Sequence, residues 1–136
     1  MLITKKLHQL LLVTFVITTI VLALILLNYC SLVACKATPS YFFITDGLLS
    51  PLTIAFAGIS VTLSFLLLFP SLVFKRWLTY IASWYIPLSI LAVASIPVTS
   101  AGLLMPSRSW VAIQAMIVLF VITVVYALIV RKRVRR

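Results

Sequence analysis

The sequence predicts an all-α fold, namely an integral membrane bundle of four transmembrane helices with short loops. Hydrophobic residues make up 65% of the 136 residues and charged residues only 9%, whereas charged residues make up about 25% of a soluble domain. The apolar residues form four runs, each long enough to cross a roughly 30 Å hydrocarbon core at about 1.5 Å per residue. We therefore expect a single four-span membrane domain over residues 1–136.

The limits of the apolar runs predict where each span begins and ends. The expected spans are about 7–29, 48–69, 77–96 and 110–130, followed by a basic cytoplasmic tail at 131–136. The first run follows a basic leader, as the apolar segment of a secretory signal peptide does. Such segments usually contain only about 7–15 residues, so the longer run here favours a membrane span.

One short motif after the first run offers an alternative. Leu32-Val33-Ala34-Cys35 resembles the lipobox at which bacterial lipoprotein precursors are cut and lipidated on the cysteine. That reading implies loss of everything before Cys35. Three further apolar runs follow the motif, whereas a lipoprotein of that kind releases a soluble domain, so we favour the four-span interpretation.

The positions of the basic residues predict the orientation of the spans. Lys5, Lys6, the pair Lys75 and Arg76 in a short predicted loop, and five basic residues in the tail lie on one side, making nine. Only Lys36 and Arg108 lie on the other side. Cytoplasmic loops carry the excess of Lys and Arg, so we expect a multi-pass protein of the cell membrane with both termini cytoplasmic. Charges that avoid the apolar runs in this way argue against nucleic acid as a partner.

Small and hydroxyl residues on one face of the second span predict a helix-packing seam. They are spaced i, i+4, i+7 and i+11, with Gly58 nearby, and are Thr53, Ala57, Ser60 and Ser64. Such residues let helix backbones approach closely and supply hydrogen bonds between helices. We expect Thr14 and Thr18 to contribute from the first span, and a polar conduit along the same face is the alternative.

Ionisable residues are too few for acid–base or metal chemistry. His8 is the only histidine and Asp46 the only acid, and the predicted topology puts them at opposite membrane faces, with His8 at the interface. We therefore expect no enzyme activity, no metal site and no cofactor. The predicted second, third and fourth spans contain no charged residue and no histidine, which weakens the case for proton-coupled transport.

An aromatic stripe in the third span is the candidate binding site. Trp77, Tyr80 and Trp84 are spaced i, i+3 and i+7, with Trp77 expected as an interfacial anchor. Ser83 lies on the neighbouring face, and Pro87 leaves the carbonyl of Ser83 without its helical donor. The first interpretation is a kinked, aromatic-packed helix. The alternative is a pocket for a lipid, a quinone or another hydrophobic ligand.

Two further sets of residues are candidate sites. Cys30 and Cys35 could form a disulfide, although on one helix they would lie about 140° apart; free thiols are the alternative. The basic tail is expected to contact anionic lipid headgroups, at about 1 kcal/mol for each residue. Its basic residues are Arg131, Lys132, Arg133, Arg135 and Arg136.

These features lead to a functional expectation without a specific chemistry. We expect a non-enzymatic structural or accessory component of a membrane complex, with membrane lipids and either another membrane protein or further copies of itself as partners. The alternatives are an oligomeric small pore or carrier, or a lipid- or quinone-binding protein. The pore reading includes a holin-like protein, because some phage holins also end in a basic tail after short spans.

Overall fold

The computed structural model describes residues 2–32, 44–97 and 107–134, and this part of the chain is helical apart from short turns. The α-helices are α1 (Leu2–Leu32), α2 (Ser50–Leu66), α3 (Ser71–Trp77), α4 (Ser83–Ala94) and α5 (Arg108–Val134). Two π-helical segments, π1 (Thr45–Leu49) and π2 (Leu78–Ala82), lead into α2 and join α3 to α4. The predicted all-α fold is confirmed for the described residues.

Four helical stretches in the described ranges are long and apolar enough to cross a membrane. They are the first span (Leu2–Asn28), the second (Gly47–Leu66), the third (Ser71–Ala94) and the fourth (Arg108–Arg133). Their number agrees with the four runs of the sequence. The third span is one continuous helix formed by α3, π2 and α4, and it passes through Pro87 without ending.

The third span begins at Ser71 rather than at Trp77. The second span ends in tight turns, in which the backbone N–H groups of Leu68 and Phe69 donate to carbonyls three residues earlier. Pro70 then has an extended backbone, with ψ 149°. A helix resumes directly after it. The prediction that Lys75 and Arg76 lie in a loop is therefore wrong: both are helical. Long basic side chains can sit on a helix near its end and still carry their charges outward to water.

The beginning of the second span also differs from a simple helix start. Helical structure begins with π1, and α2 starts at Ser50 with Pro51 in its first turn, where the missing proline N–H has no helical acceptor to lose. The Ser50 hydroxyl does not cap this helix. It lies 2.8 Å from the Ser109 hydroxyl at the start of the fourth span.

The four spans form a ring in the order first, second, fourth, third. The second span packs along the first on one side and along the fourth on the other, and the third packs along the fourth. The ring closes where the first span contacts α3. Spans adjacent in sequence run in opposite directions, so the start of the first span and the end of the fourth meet at one end of the bundle. The largest fully buried side chains concentrate towards that end, among them Leu63, Leu66, Phe74 and Trp77.

The small residues of the second span pack against two different helices, the fourth span and the first. At Gly58 an added Cβ would lie 2.5–2.7 Å from side-chain atoms of Met116 in the fourth span. On another face, buried Ser60 lies 3.4 Å from Thr19 of the first span, oxygen to oxygen. Thr53 and Ala57 are half-buried and Ser64 is exposed, so only part of the predicted seam is in contact. Thr19 makes this contact from the first span, whereas the expected Thr14 and Thr18 hydroxyls bond to carbonyls of their own helix.

We predict that Gly58→Ala lowers the free energy of unfolding by up to about 2 kcal/mol. The new methyl group must displace Met116 or separate the two spans, which costs about 1–3 kcal/mol, and the gain in helix propensity offsets about 1 kcal/mol of this cost. Unfolding in mixed micelles, followed by tryptophan fluorescence, measures the change. Ser64→Thr is the matched control, because it adds one methyl group to an exposed position of the same span. Equal stability of the two variants would contradict the close packing at Gly58.

Candidate functional site

Trp77 and Thr123 form a buried polar contact between the third and fourth spans. The Trp77 side chain is 2% exposed, and its indole N–H donates to the Thr123 hydroxyl oxygen at 2.8 Å. Thr123 is fully buried and donates in turn to the carbonyl of Leu119 at 2.8 Å. The prediction of Trp77 as an interfacial anchor is wrong, because its ring lies within the bundle.

His8 joins the first span to the second and third. The side chain is 3% exposed, and Nε2 lies 3.1 Å from the carbonyl oxygen of Leu63. A carbonyl only accepts, so this nitrogen carries the hydrogen. The imidazole also stacks on Phe74, with ring centroids 4.0 Å apart and planes 4° from parallel. The ring is enclosed by neighbouring spans, and its position at the depth of the membrane interface stays a prediction.

These two contacts define one end of the bundle, which we call the basic end. The beginnings of the first and third spans meet the ends of the second and fourth there. Within the described part of the chain, the exposed basic side chains at this end are Lys5, Lys6, Lys75, Arg76, Arg131, Lys132 and Arg133. Arg131, Lys132 and Arg133 belong to the predicted lipid-contact set, and Arg135 and Arg136 lie outside the described residues.

Arg108 organises the opposite end of the bundle, which we call the Arg108 end. Its guanidinium donates through Nε to the Ile96 carbonyl at 2.7 Å and through Nη1 to the Gly47 carbonyl at 3.0 Å. A longer contact of 3.4 Å reaches the carbonyl of Ala94. The last carbonyls of a helix carry partial negative charge, so Arg108 stabilises the end of the third span while tying it to the second and fourth.

The structure separates Trp77 from the other four residues of the predicted aromatic pocket. Trp77 is buried, whereas Tyr80 and Trp84 are 66% and 53% exposed, and Ser83 and Pro87 are also exposed. The Trp84 indole and the Ser83 hydroxyl donate to backbone carbonyls four residues earlier in their own helix. A hydrophobic ligand on the outer surface of these four residues stays a prediction.

The predicted cysteine bridge falls largely outside the described part of the chain. Cys30 lies within α1, but its side chain and the whole of Cys35 are outside the described residues. The bridge and the free thiols therefore both remain predictions. Among the described residues there is no group of three His, Cys, Asp or Glu residues that could hold a metal ion.

The polar contacts between spans hold neighbouring helices together through hydrogen bonds. Each cross-span contact pairs a donor with a hydroxyl or a backbone carbonyl, as in Trp77 to Thr123, Tyr85 to the Ala115 carbonyl at 2.7 Å, and Arg108 to three carbonyls. Sequence reasoning missed these pairs. A single histidine and an isolated arginine beside apolar runs could have indicated such contacts, but the sequence does not show which groups they bond to.

We predict that Thr123→Val lowers the free energy of unfolding by about 1–3 kcal/mol, because it leaves the Trp77 indole N–H buried without an acceptor. Thr14→Val is the matched control, since the exposed Thr14 hydroxyl bonds only to the Leu10 carbonyl of its own helix. That control should change stability by less than about 0.5 kcal/mol. Mixed-micelle unfolding of both variants tests this, and equal losses would show that the indole contact contributes nothing specific.

Comparison with known proteins adds no family to this description. The chain matches no family model, no curated protein and no solved structure. The functional argument therefore depends on the contacts, burial and charges described above.

Proposed function

We propose that this chain is an integral protein of the cell membrane, inserted through its four spans with both termini in the cytoplasm. Among the described residues, seven exposed basic side chains lie at the basic end and Arg108 lies at the other; this asymmetry supports the orientation, because Lys and Arg are retained on the cytoplasmic side. Part of this positive charge lies at the beginning of the first span and part at the end of the fourth. At the cytoplasmic face the tail residues Arg131, Lys132 and Arg133 contact anionic headgroups.

Within the membrane we propose a structural or accessory role in a larger complex, without catalysis. The observation that carries this proposal is that the cross-span polar groups are paired with one another or with backbone carbonyls: in the described residues, no buried side-chain nitrogen or oxygen lacks a partner. Groups used in this way hold helices together and are not available to carry protons or substrate.

The exterior of the bundle supports association with other membrane components. The first span has no buried residue in its most apolar 18-residue window, whereas 22% of the corresponding window is buried in each of the other three spans. It contacts its neighbours along one side and presents the rest of its apolar surface outward. Because the interior side chains are used for packing between the spans, we propose that the protein binds other membrane components through its outer apolar surface.

We predict that a reporter enzyme active only outside the cytoplasm gives no signal when fused after Arg136, and a signal when inserted between residues 36 and 40. The charge asymmetry retains the tail on the cytoplasmic side. Activity of each fusion in intact cells is the measurement, with protein level as the control. Strong activity from the C-terminal fusion would overturn the proposed orientation.

We predict that the chain co-purifies with a stoichiometric membrane component and conducts no ions or small solutes. Mild-detergent extraction of the tagged chain after cross-linking in native membranes, followed by mass analysis, identifies the component. Flux through vesicles that contain the purified chain is measured in parallel. Robust flux, with no component recovered, would favour the small pore or carrier over the accessory role.

A further inference from the structure

Gln114 is an exposed carboxamide on the outer face of the fourth span. It lies six residues, or about 9 Å, beyond Arg108 along the helix, and Arg108 is held by carbonyls at its end of the bundle. Its position on the wheel is opposite the buried residues Leu119 and Thr123, at about 100° per residue. The side chain is exposed and makes no hydrogen bond within the chain as far as the structure describes it.

The exposed hydroxyl and indole side chains along the spans behave differently, and Gln9 near the basic end is a second exposed carboxamide without a hydrogen bond in the described chain. The hydroxyls of Thr14, Ser64, Thr79 and Ser83 each donate to the carbonyl four residues earlier in their own helix, which satisfies the donor locally. The Trp84 indole does the same through the Tyr80 carbonyl. Gln114 has an amide donor and a carbonyl acceptor, and neither is met in this way.

Gln114 belongs to an outer stripe of side chains spaced three or four residues apart. The outer stripe consists of Trp110, Gln114, Ile117, Val121, Val125 and Leu128, all exposed. They lie within about 60° of Gln114 around the helix. This spacing, with β-branched residues and one polar residue, is the pattern through which two parallel helices pack side by side. The stripe ends at Leu128, because the next position on the same line is the charged Lys132.

We propose that the outer stripe packs against the same stripe of a second copy of this chain, with the two Gln114 carboxamides hydrogen-bonded across a two-fold axis. The inference rests on the proposed membrane insertion and names a partner for the accessory role. A carboxamide is self-complementary, since its donor fits the acceptor of an identical group. A two-fold axis parallel to the spans brings identical residues face to face and keeps both copies in the same orientation.

The lipid around the spans favours this pairing of carboxamides. Apolar side chains gain little by leaving lipid for a helix surface, whereas polar side chains hydrogen-bond between helices in the hydrocarbon region. The other occupant to consider is water at the membrane surface, because a glutamine side chain leans towards the beginning of its helix. Removing the carboxamide distinguishes the two: a side chain that only reaches water has no effect on self-association.

Self-association of the full-length chain in vesicles of neutral and anionic phospholipid tests the proposal. Energy transfer between donor- and acceptor-labelled copies is measured as the protein-to-lipid ratio is varied. We expect dimers for the unaltered chain, and a dimer dissociation constant raised about threefold to tenfold by Gln114→Leu. Gln114→Asn retains a carboxamide and should retain most of the association.

Gln9→Leu is the matched control, because Gln9 is an exposed carboxamide near the basic end, off the outer stripe. It should leave the dissociation constant unchanged. A chain that is monomeric at every ratio, or equal effects of Gln114→Leu and Gln9→Leu, would overturn the proposal. Flotation and alkaline extraction of the same vesicles test membrane insertion separately. A chain that is extracted refutes the proposed function and this inference together, whereas an inserted monomer refutes only the inference.

Discussion

A polar side chain inside an apolar bundle needs its partner within the protein, and the packing of the spans depends on this constraint. The Trp77 indole illustrates it: the ring is buried, so its N–H requires an acceptor, and Thr123 of the fourth span supplies it. Thr123 then relies on the Leu119 carbonyl. Leaving such a group unpaired costs about 1–3 kcal/mol, so the contact sets how the third and fourth spans align.

The same constraint is met at both ends of the bundle by side chains that reach backbone carbonyls. His8 uses the Leu63 carbonyl near the end of the second span, and Arg108 uses carbonyls of Gly47, Ala94 and Ile96. The carbonyls of Ala94 and Ile96 lie at the end of the third span, where the helix ladder has run out, whereas the Leu63 carbonyl accepts from His8 in addition to the Leu67 N–H. His8 and Arg108 therefore each join spans that are distant in sequence.

Exposed hydroxyls are satisfied within their own helix, whereas the exposed carboxamide of Gln114 is not. Thr14, Ser64, Thr79 and Ser83 bond back to their own helix, so they tell little about partners. Gln114 has no such bond in the described chain. In the described residues every buried side-chain nitrogen or oxygen has a partner, and the unpaired carboxamide of Gln114 on the outer stripe supports the proposed association with another helix.

The sequence by itself determined the helical class, the number of spans and the segregation of charge, because these follow from composition and from runs long enough to cross a bilayer. It also indicated close packing in the second span. The tertiary structure decided which residues meet. It placed Trp77 inside, enclosed His8, extended the third span back over Lys75 and Arg76, and set Gly58 against Met116. A nearly uniform apolar sequence hardly marks which helix face turns inward; that depends on the shape and hydrogen-bonding partners of neighbouring spans.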